Sequence, residues 1–333
     1  MNHKRAIAVI GQGFVGGSLS TGMSHAFDVY AFDKAGKIAK GALNGARDKN
    51  GRDNIEALVE RMETHQADVN DPASLCFNGA PLGDSFTGVY FVCLPTPMFE
   101  DGEADLHIVE DTLRSLANIP GNRIAVVKST IPPGSTERWN AMFVGTGLRI
   151  VFNPEFLTEA NALQDFKNQN RIILGGPRPY INIVKQIYKT AFPKVPIIKT
   201  SSTTAEMVKY LTNCFLATKV SFANEMAQIC EALDDKGMNI DYDKVVEYST
   251  YDQRLGVSHW GVPGPVTTQD GRYVRGFGGH CFPKDLNALR FLAKKLGIDT
   301  KVMNGVWEKN LEVRPPEDRD WEQMKDRAVS ERK

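Results

Sequence analysis

The chain has 333 residues, 42% hydrophobic and 24% charged, which allows two domains with a sizeable core and excludes a disordered or fibrous chain. Forty basic residues offset forty acidic ones, so no net charge draws the chain to nucleic acid or to an anionic membrane. The five cysteines (Cys76, Cys93, Cys214, Cys230, Cys281) are scattered without a Cys-x-x-Cys pair, which argues against a disulfide framework or a metal site and for a reducing, cytoplasmic setting.

Asn2-His3-Lys4-Arg5 before an apolar run mimics a short signal peptide, but the run stops at Gly11 with no cleavage-like site after it. No apolar run approaches the ~20 residues of a membrane span. Ala6–Ile10 has the pattern of a buried parallel strand and leads directly into Gly11-Gln12-Gly13-Phe14-Val15-Gly16. Such glycines permit a tight turn, close approach to a pyrophosphate and close helix–strand packing. A second strand, Val29–Phe32, ends in Asp33, about 20 residues further on, where ribose hydroxyls would be held. A Gly-rich turn without ligand is the plainer alternative, which strand, glycines and acid together disfavour. The Asp33 carboxylate repels a 2′-phosphate, so NAD is expected rather than NADP.

Residues 36–85 are polar and read as helices and loops. Gly88–Leu94 reads as a buried strand closed by Pro95-Thr96-Pro97, Asp105–Ala117 as a helix with a capping acid, and Arg123–Val127 as a strand ending in Lys128-Ser129-Thr130-Ile131-Pro132-Pro133-Gly134. These loops fall on the carboxyl edge of a doubly wound sheet, where ligands bind. Plain turn or capping chemistry also explains Thr96 and Thr130. Further strands are expected at Leu148–Phe152, Arg171–Leu174 and Val195–Lys199. Between them, Glu155 and Glu159 in Asn153-Pro154-Glu155-Phe156-Leu157-Thr158-Glu159 suit water and sugar hydroxyls, or are solvated charges at a helix start.

From Ser201 a long helix is predicted to about Leu233, with Ser202 or Thr203 as cap and Glu206 completing a capping box. At ~1.5 Å per residue it links domains or builds a dimer interface. Lys209 and Asn213 share one of its faces. A short helix, Asp243–Thr250, a loop through Arg254 and a Pro/Gly-rich loop, Ser258–Arg275, lead to Gly276-Phe277-Gly278-Gly279-His280-Cys281-Phe282-Pro283-Lys284-Asp285. Pro283 suits a helix start, and Leu286, Leu289, Leu292 and Leu296 follow with helical spacing. Cys281 therefore sits where unpaired N–H groups favour a thiolate, although a buried apolar role is commoner for an arbitrary cysteine. A helix over Met303–Leu311 precedes Pro315-Pro316 and a charge-rich end, Glu317–Lys333, read as a peripheral helix or frayed tail. The expected architecture is α/β: a Rossmann-like doubly wound sheet (residues 1–199), an all-helical central domain built on the long linking helix (200–303), and a linker tail (304–333).

In this order the motifs resemble the nucleotide-sugar 6-dehydrogenases, from about residue 6 to about residue 312. The resemblance implies oxidation of a sugar C6 hydroxyl to a carboxylate by two NAD in succession, with UDP-glucose the expected substrate. It implies Cys281 as the nucleophile forming a thiohemiacetal and then a thioester, with Lys209 and Asn213 on the developing alkoxide. Asp285 would pair with Lys209 and position water, while Thr130 and Glu159 would order the hydrolytic water. Gly11, Gly13, Phe14, Val15, Gly16, Asp33, Thr96, Thr130 and Lys284 would hold the cofactor. Glu155, Phe156, Leu157, Lys209, Asn213, Arg254, Phe277 and Gly278 would hold the substrate, Arg254 reaching the sugar of a neighbouring subunit in a homodimer formed through the long helix. No metal, nucleic acid or membrane is implied.

Two departures stand out. Family members usually carry a third, nucleotide-covering α/β domain beyond the point where the resemblance ends; a separate chain is one candidate source of it. The loop from Val257 to Arg275 is longer than usual, and its Arg272 and Arg275 are candidates for a diphosphate, solvated arginines being the plainer reading. A two-domain 3-hydroxyacid dehydrogenase, or a catalytically silent NAD-binding module, remains an alternative.

Overall fold

The computed structural model describes residues 4–45, 54–68, 76–77, 80–81, 86–265 and 271–332. Two compact units divide the chain: Met1–Thr96 with Leu106–Lys209, and Pro97–Asp105 with Tyr210–Lys333.

The first unit opens with β1 (Ala6–Ile10), α1 (Phe14–Met23), β2 (Asp28–Phe32), β3 (Leu43–Asn44) and α2 (Ile55–Asp68). A small antiparallel pair, β4 (Cys76–Phe77) and β5 (Ala80–Pro81), stands apart from the main sheet. Then come β6 (Phe86–Val92), α3 (His107–Asn118), β7 (Asn122–Val127), α4 (Ser135–Met142), β8 (Leu148–Phe152), α5 (Ala162–Lys167), β9 (Ile172–Gly175), α6 (Tyr180–Ala191) and β10 (Ile197–Thr200). The sheet order is β10-β9-β8-β7-β6-β1-β2-β3. Strands β8 to β3 in that order are mutually parallel, whereas β9, itself parallel to β10, meets β8 antiparallel at Phe152 and Gly175. The expected doubly wound, Rossmann-like sheet is therefore present, extended by an oppositely directed edge. Of the stretch 36–85, residues 46–53, 69–75, 78–79 and 82–85 lie outside the described residues.

Side chains alternate across each strand, so one sequence run feeds two cores. Ile7, Val9, Val89, Phe91, Ile124 and Val126 meet α1, α5 and α6 on one face. Ala8, Ile10, Tyr90, Val92, Ala125 and Val127 meet α2, α3 and α4 on the other. Full burial of each large apolar side chain contributes about 1.5–3 kcal/mol. Strand order reverses between β1 and β6, the switch point beside whose strand carboxyl ends sheets of this class bind ligands.

Two helix starts differ from the sequence expectation. The N-cap position of α3 is Leu106, which makes no side-chain bond, and the Asp105 carboxylate before it accepts from Ser330 Oγ at 2.6 Å. In α7 (Ser202–Asp234) the cap is Ser201, whose Oγ accepts the Thr204 N–H at 3.2 Å. Glu206 leaves the local capping box and accepts from the N–H groups of Gly134 (2.6 Å) and Thr136 (2.9 Å) at the start of α4. A neighbouring helix N-terminus offers two unpaired donors and a favourable dipole, so the tertiary partner wins. Burial raises the Glu206 pKa against those stabilising bonds.

From Tyr210 onward α7 is the spine of the second unit, followed by α8 (Tyr242–Ser249), α9 (Phe282–Lys295) and α10 (Lys301–Val313). Cys214, Ala217, Phe277, Leu286 and Val306 form its core. The C-terminal stretch is neither a frayed tail nor a peripheral helix. Short 3-10 turns at Pro316–Asp318 and Asp320–Gln323 bury Trp321 to 1% exposure against Met98 and Ala328. The strap then pairs with the Pro97–Asp105 loop, Met98 N donating to Ala328 O (2.9 Å) and Ser330 N to Met98 O (2.8 Å). Its charges hid this role because Trp321 and Ala328 do the packing while Asp320 and Arg332, on either side of them, pair with Arg314 and with Asp101 and Glu103.

Candidate active site

In the first unit the turn after β1 is built around glycines that no other residue replaces. Gly11 has φ +87°, and a Cβ there would lie 2.5 Å from the Cys93 carbonyl oxygen. A Cβ on Gly16 would lie 1.8 Å from Gly11 O, so α1 can approach β1 only because that side chain is missing. A Cβ on Gly13, by contrast, would meet no atom within 4 Å, and as the N-cap of α1 this glycine has no side chain over the turn Phe14, Val15 and Gly16. A helix N-terminus led by glycine suits a pyrophosphate. Asp33 stands at the end of β2, its carboxylate oriented by the N–H groups of Gln12 (2.7 Å) and Ala35 (2.9 Å). Each oxygen keeps a lone pair for a ribose hydroxyl, and the donor set fits NAD.

The next two strand ends are laced together. Ser129 Oγ donates to Leu94 O (2.6 Å) and accepts from Leu94 N (3.0 Å), while Thr96 Oγ1 donates to Thr130 O (2.7 Å). Thr96 thus fixes the loop that carries Thr130.

Behind them lies a buried polar cluster. Lys128 Nζ contacts Glu155 Oε2 and Asn153 Oδ1, each at 2.9 Å, and Tyr188 OH also donates to Asn153 Oδ1. Burial alone would lower the Lys128 pKa, but the adjacent Glu155 carboxylate and Tyr188 outweigh it and hold the ammonium above the usual lysine range. Burial pushes the Tyr188 hydroxyl up to about 12. Glu155 also accepts from Phe156 N (2.8 Å), so the same side chain that neutralises Lys128 sets the start of the Phe156-Leu157 segment. The Phe156 ring lies under two cations, Arg171 at 4.5 Å and Lys209 Nζ at 5.5 Å. Leu157 packs against the sheet core and Glu159 is exposed.

In the second unit Cys281 is the N-cap residue of α9, with Pro at the helix start. Its carbonyl accepts Asp285 N at 3.0 Å. Asp285 is 1% exposed, and its carboxylate takes Asn213 Nδ2 at 2.5 Å on one oxygen and Lys284 Nζ at 2.5 Å on the other. A carboxylate removed from water needs such partners. Lys284, which precedes Asp285 in the chain, supplies the cation for this carboxylate. Burial together with Asp285 pushes the Cys214 thiol well up, and burial pushes Cys93 up to about 12, so neither competes as a nucleophile.

The glycines of the cysteine loop admit protein groups. A Cβ on Gly276 (φ +69°) would come within 2.4 Å of Asn310 Oδ1, and one on Gly278 within 2.2 Å of Asp320 Oδ1. Asn310 reads the Phe277 backbone both ways, accepting its N–H (2.7 Å) and donating to its carbonyl (3.0 Å), while the Phe277 ring is buried on Phe282 and Trp307. Of the loop's glycines, Gly279 alone has open space where a Cβ would stand, with no atom within 4 Å of that position. Arg254 is exposed on its loop, bound through Nε to both oxygens of Asp252. Arg275 pairs with Glu231 and Arg272 with Asp318, so both carry acidic partners. Residues 266–270 of that loop lie outside the described residues. Among the described residues no acid–histidine–cysteine cluster suits a metal, and no helix is long and apolar enough to cross a membrane.

Sequence reasoning missed Lys128, Asn153 and Tyr188, and the Arg314–Asp320 pair described below. Asn310 stood in a helical pattern without an assigned purpose; a buried Asn on an otherwise apolar face was the available signal.

Residues 5–192 match the model described as the UDP-glucose/GDP-mannose dehydrogenase family, NAD binding domain, and residues 203–312 match that family's central domain. The chain is 29% identical over 322 residues to UDP-glucose 6-dehydrogenase TuaD of Bacillus subtilis, covering 93% of this chain and 64% of that one. A solved UDP-glucose dehydrogenase from Pyrobaculum islandicum is similar with TM-score 0.67 and 28% identity, over 93% of this chain and 68% of its own. A UDP-D-ManNAc dehydrogenase from Pyrococcus horikoshii shares the fold with TM-score 0.65 at 21% identity, over 93% and 69%. The chain spans about two thirds or less of the curated relatives it matches.

The thiol environments set an order of reactivity. At pH 8 iodoacetamide should modify Cys281 at least tenfold faster than Cys93 or Cys214, read by peptide mass spectrometry, because a thiol titrating near 12 is about 10⁻⁴ ionised there. Equal rates at Cys93 and Cys281 would contradict this assignment.

Proposed function

Since the chain belongs to the UDP-glucose/GDP-mannose dehydrogenase family and its first unit is an NAD-binding domain, we propose that it oxidises the C6 hydroxyl of a nucleotide sugar, with UDP-glucose the lead substrate, to a carboxylate. The observation that carries this reading is Cys281 at the mouth of α9, with Asp285 one turn on and held by Asn213 and Lys284.

Bound NAD supplies a hydride acceptor, once for each of two oxidation steps. The first takes a hydride from C6 while the hydroxyl proton leaves to water, giving an aldehyde. The Cys281 thiolate then adds to that carbon, and a proton on the resulting oxygen completes a thiohemiacetal. Loss of a second hydride and of the hydroxyl proton leaves a thioester, which water cleaves to the carboxylate and the free thiol. Tethering keeps the intermediate aligned, which is worth more than any rate gain at the sulfur itself. Lys209 and Asn213 are assigned to the alkoxide, where preorganised donors act most strongly. Thr130, Glu159 and Asp285 are assigned to the water. Glu155, Phe156, Leu157, Phe277 and Gly278 shape the sugar site; for Glu155 the ion pair with Lys128 makes that role one of holding the Phe156 backbone in place.

Leu211, Phe215, Phe222 and Ile229 recur on one face of α7 and are all exposed, which supports a homodimer through this helix with Arg254 presented to the partner's substrate. A one-hydride 3-hydroxyacid dehydrogenase would leave Cys281 and its glycine loop without a task. The thiol chemistry itself calls for a reducing compartment such as the cytoplasm.

NADH release should be fastest with UDP-glucose when it is compared with UDP-ManNAc and GDP-mannose. In Cys281→Ser full turnover should fall by a factor on the order of 10³ or more, a barrier increase of about 4 kcal/mol; wild-type turnover in that variant would sink the nucleophile assignment. Light scattering should find a dimer in the wild type and a monomer after Leu211→Glu with Phe215→Glu, and an unchanged mass would reject the helix interface.

A further inference from the structure

Cys281 is presented by a turn that a side chain of the C-terminal strap anchors two residues upstream. Gly279 takes φ +70°, and its N–H donates to Asp320 Oδ2 at 2.9 Å. The other carboxylate oxygen, Oδ1, accepts from Arg314 Nη2 at 2.9 Å. The Arg314 side chain is only 3% exposed and spends its other donors on both sides of this contact, Nε on Asp318 O (2.7 Å) and Nη1 on Arg275 O (3.4 Å). One guanidinium therefore ties the strand of backbone entering the glycine loop to the strap that receives it. Gly278 is required for this approach, since a methyl there would fall 2.2 Å from Asp320 Oδ1 and 2.5 Å from Arg314 Nη2.

Packing reinforces the same connection. Trp321, next in sequence to Asp320, meets Trp307 at 5.7 Å with the rings tilted, Trp307 meets Phe277 at 6.3 Å, and Phe277 meets Phe282, the first residue of α9, at 6.1 Å. Further along, the strap is fastened by Ser330 to Asp105 and by Arg332 to Asp101 (2.6 Å) and Glu103 (2.9 Å).

We propose that Asp320, aimed by Arg314, is a positioning residue for Cys281: it pins the Gly279 N–H and so fixes the turn that sets the thiol at the N-terminus of α9. This rests on the reading of Cys281 as the nucleophile. Asp320 touches no reacting atom in this role, and it acts through two residues of backbone. A loop freed at Gly279 keeps its thiol but loses the alignment on which hydride transfer from a tethered intermediate depends, where a misplacement of about 1 Å is enough for a loss of roughly 10²-fold.

The test uses the full chain as wild type, Asp320→Ala, Asp320→Asn and Gly278→Ala. Hydrogen exchange of the peptide spanning Gly276–Cys281 is measured beside a β1–α1 peptide, together with steady-state kinetics. In Asp320→Ala the Gly279 amide should exchange at least tenfold faster with the β1–α1 peptide unchanged. Its kcat should drop ten- to a hundredfold with KM for the nucleotide sugar within about threefold. Asp320→Asn, which keeps an oxygen for the Gly279 N–H, should recover most of kcat. Gly278→Ala, which displaces the carboxylate without removing it, should reproduce the faster exchange and serves where Asp320→Ala does not fold. Unchanged exchange at Gly279 in Asp320→Ala or Gly278→Ala overturns the proposal, as does a loss confined to KM, which would make Asp320 a ligand contact. The exchange arm uses no substrate, so a chain that oxidises no nucleotide sugar would refute the proposed activity while the anchoring of Gly279 was still decided.

Discussion

A carboxylate cannot stay buried and charged without partners, and Asp285 is the point at which this chain meets that constraint. Its oxygens are met by Lys284 on its own helix and by Asn213 on α7. The pair of contacts fixes where α9 starts and how α7 is rotated beside it, and Cys281 sits one turn before the carboxylate. Removing one partner of such a buried group costs roughly 3–5 kcal/mol, more than a surface ion pair contributes. The thiol is thus held by the polar requirement of a neighbour as much as by its own loop.

The first unit repeats the principle at the carboxyl edge of its sheet. Lys128 at the end of β7 and Glu155 beyond β8 neutralise each other, and Glu155 then sets the backbone at Phe156. Glu206 satisfies the start of α4 just after the loop that carries Thr130. In each case a buried charge orients a segment that bears candidate site residues. Precision in a site of this kind comes from residues behind the chemistry that are themselves immobilised.

Features that local spacing dictates could be read from the sequence alone. The glycines after β1, Asp33 after β2, the alternating strands and the Pro283 helix start all follow from periods and from backbone rules that act over a few residues. The placement of Cys281 at the start of α9 was legible for the same reason, whereas its role as nucleophile came from the resemblance of the motifs. Contacts between distant residues were not. Lys128 and Glu155 meet because β7 and β8 are neighbours in the sheet, which no pattern around either residue reveals. Glu206 matched a local capping box but found two backbone donors elsewhere, and Asp105 bonds Ser330, a residue 225 positions away. The charge-rich end looked unfit to pack because its charges outnumber its apolar residues; the structure spends those charges on Gly279, Asp101 and Glu103 and needs only Trp321 and Ala328 as anchors.

The central claim is that one active site removes four electrons by way of Cys281. The most direct measure is the ratio of NADH formed to nucleotide sugar consumed when wild-type protein takes limiting UDP-glucose to completion. The account predicts two NADH and one carboxylate per sugar. One NADH per sugar, with an aldehyde as the final product, would contradict it.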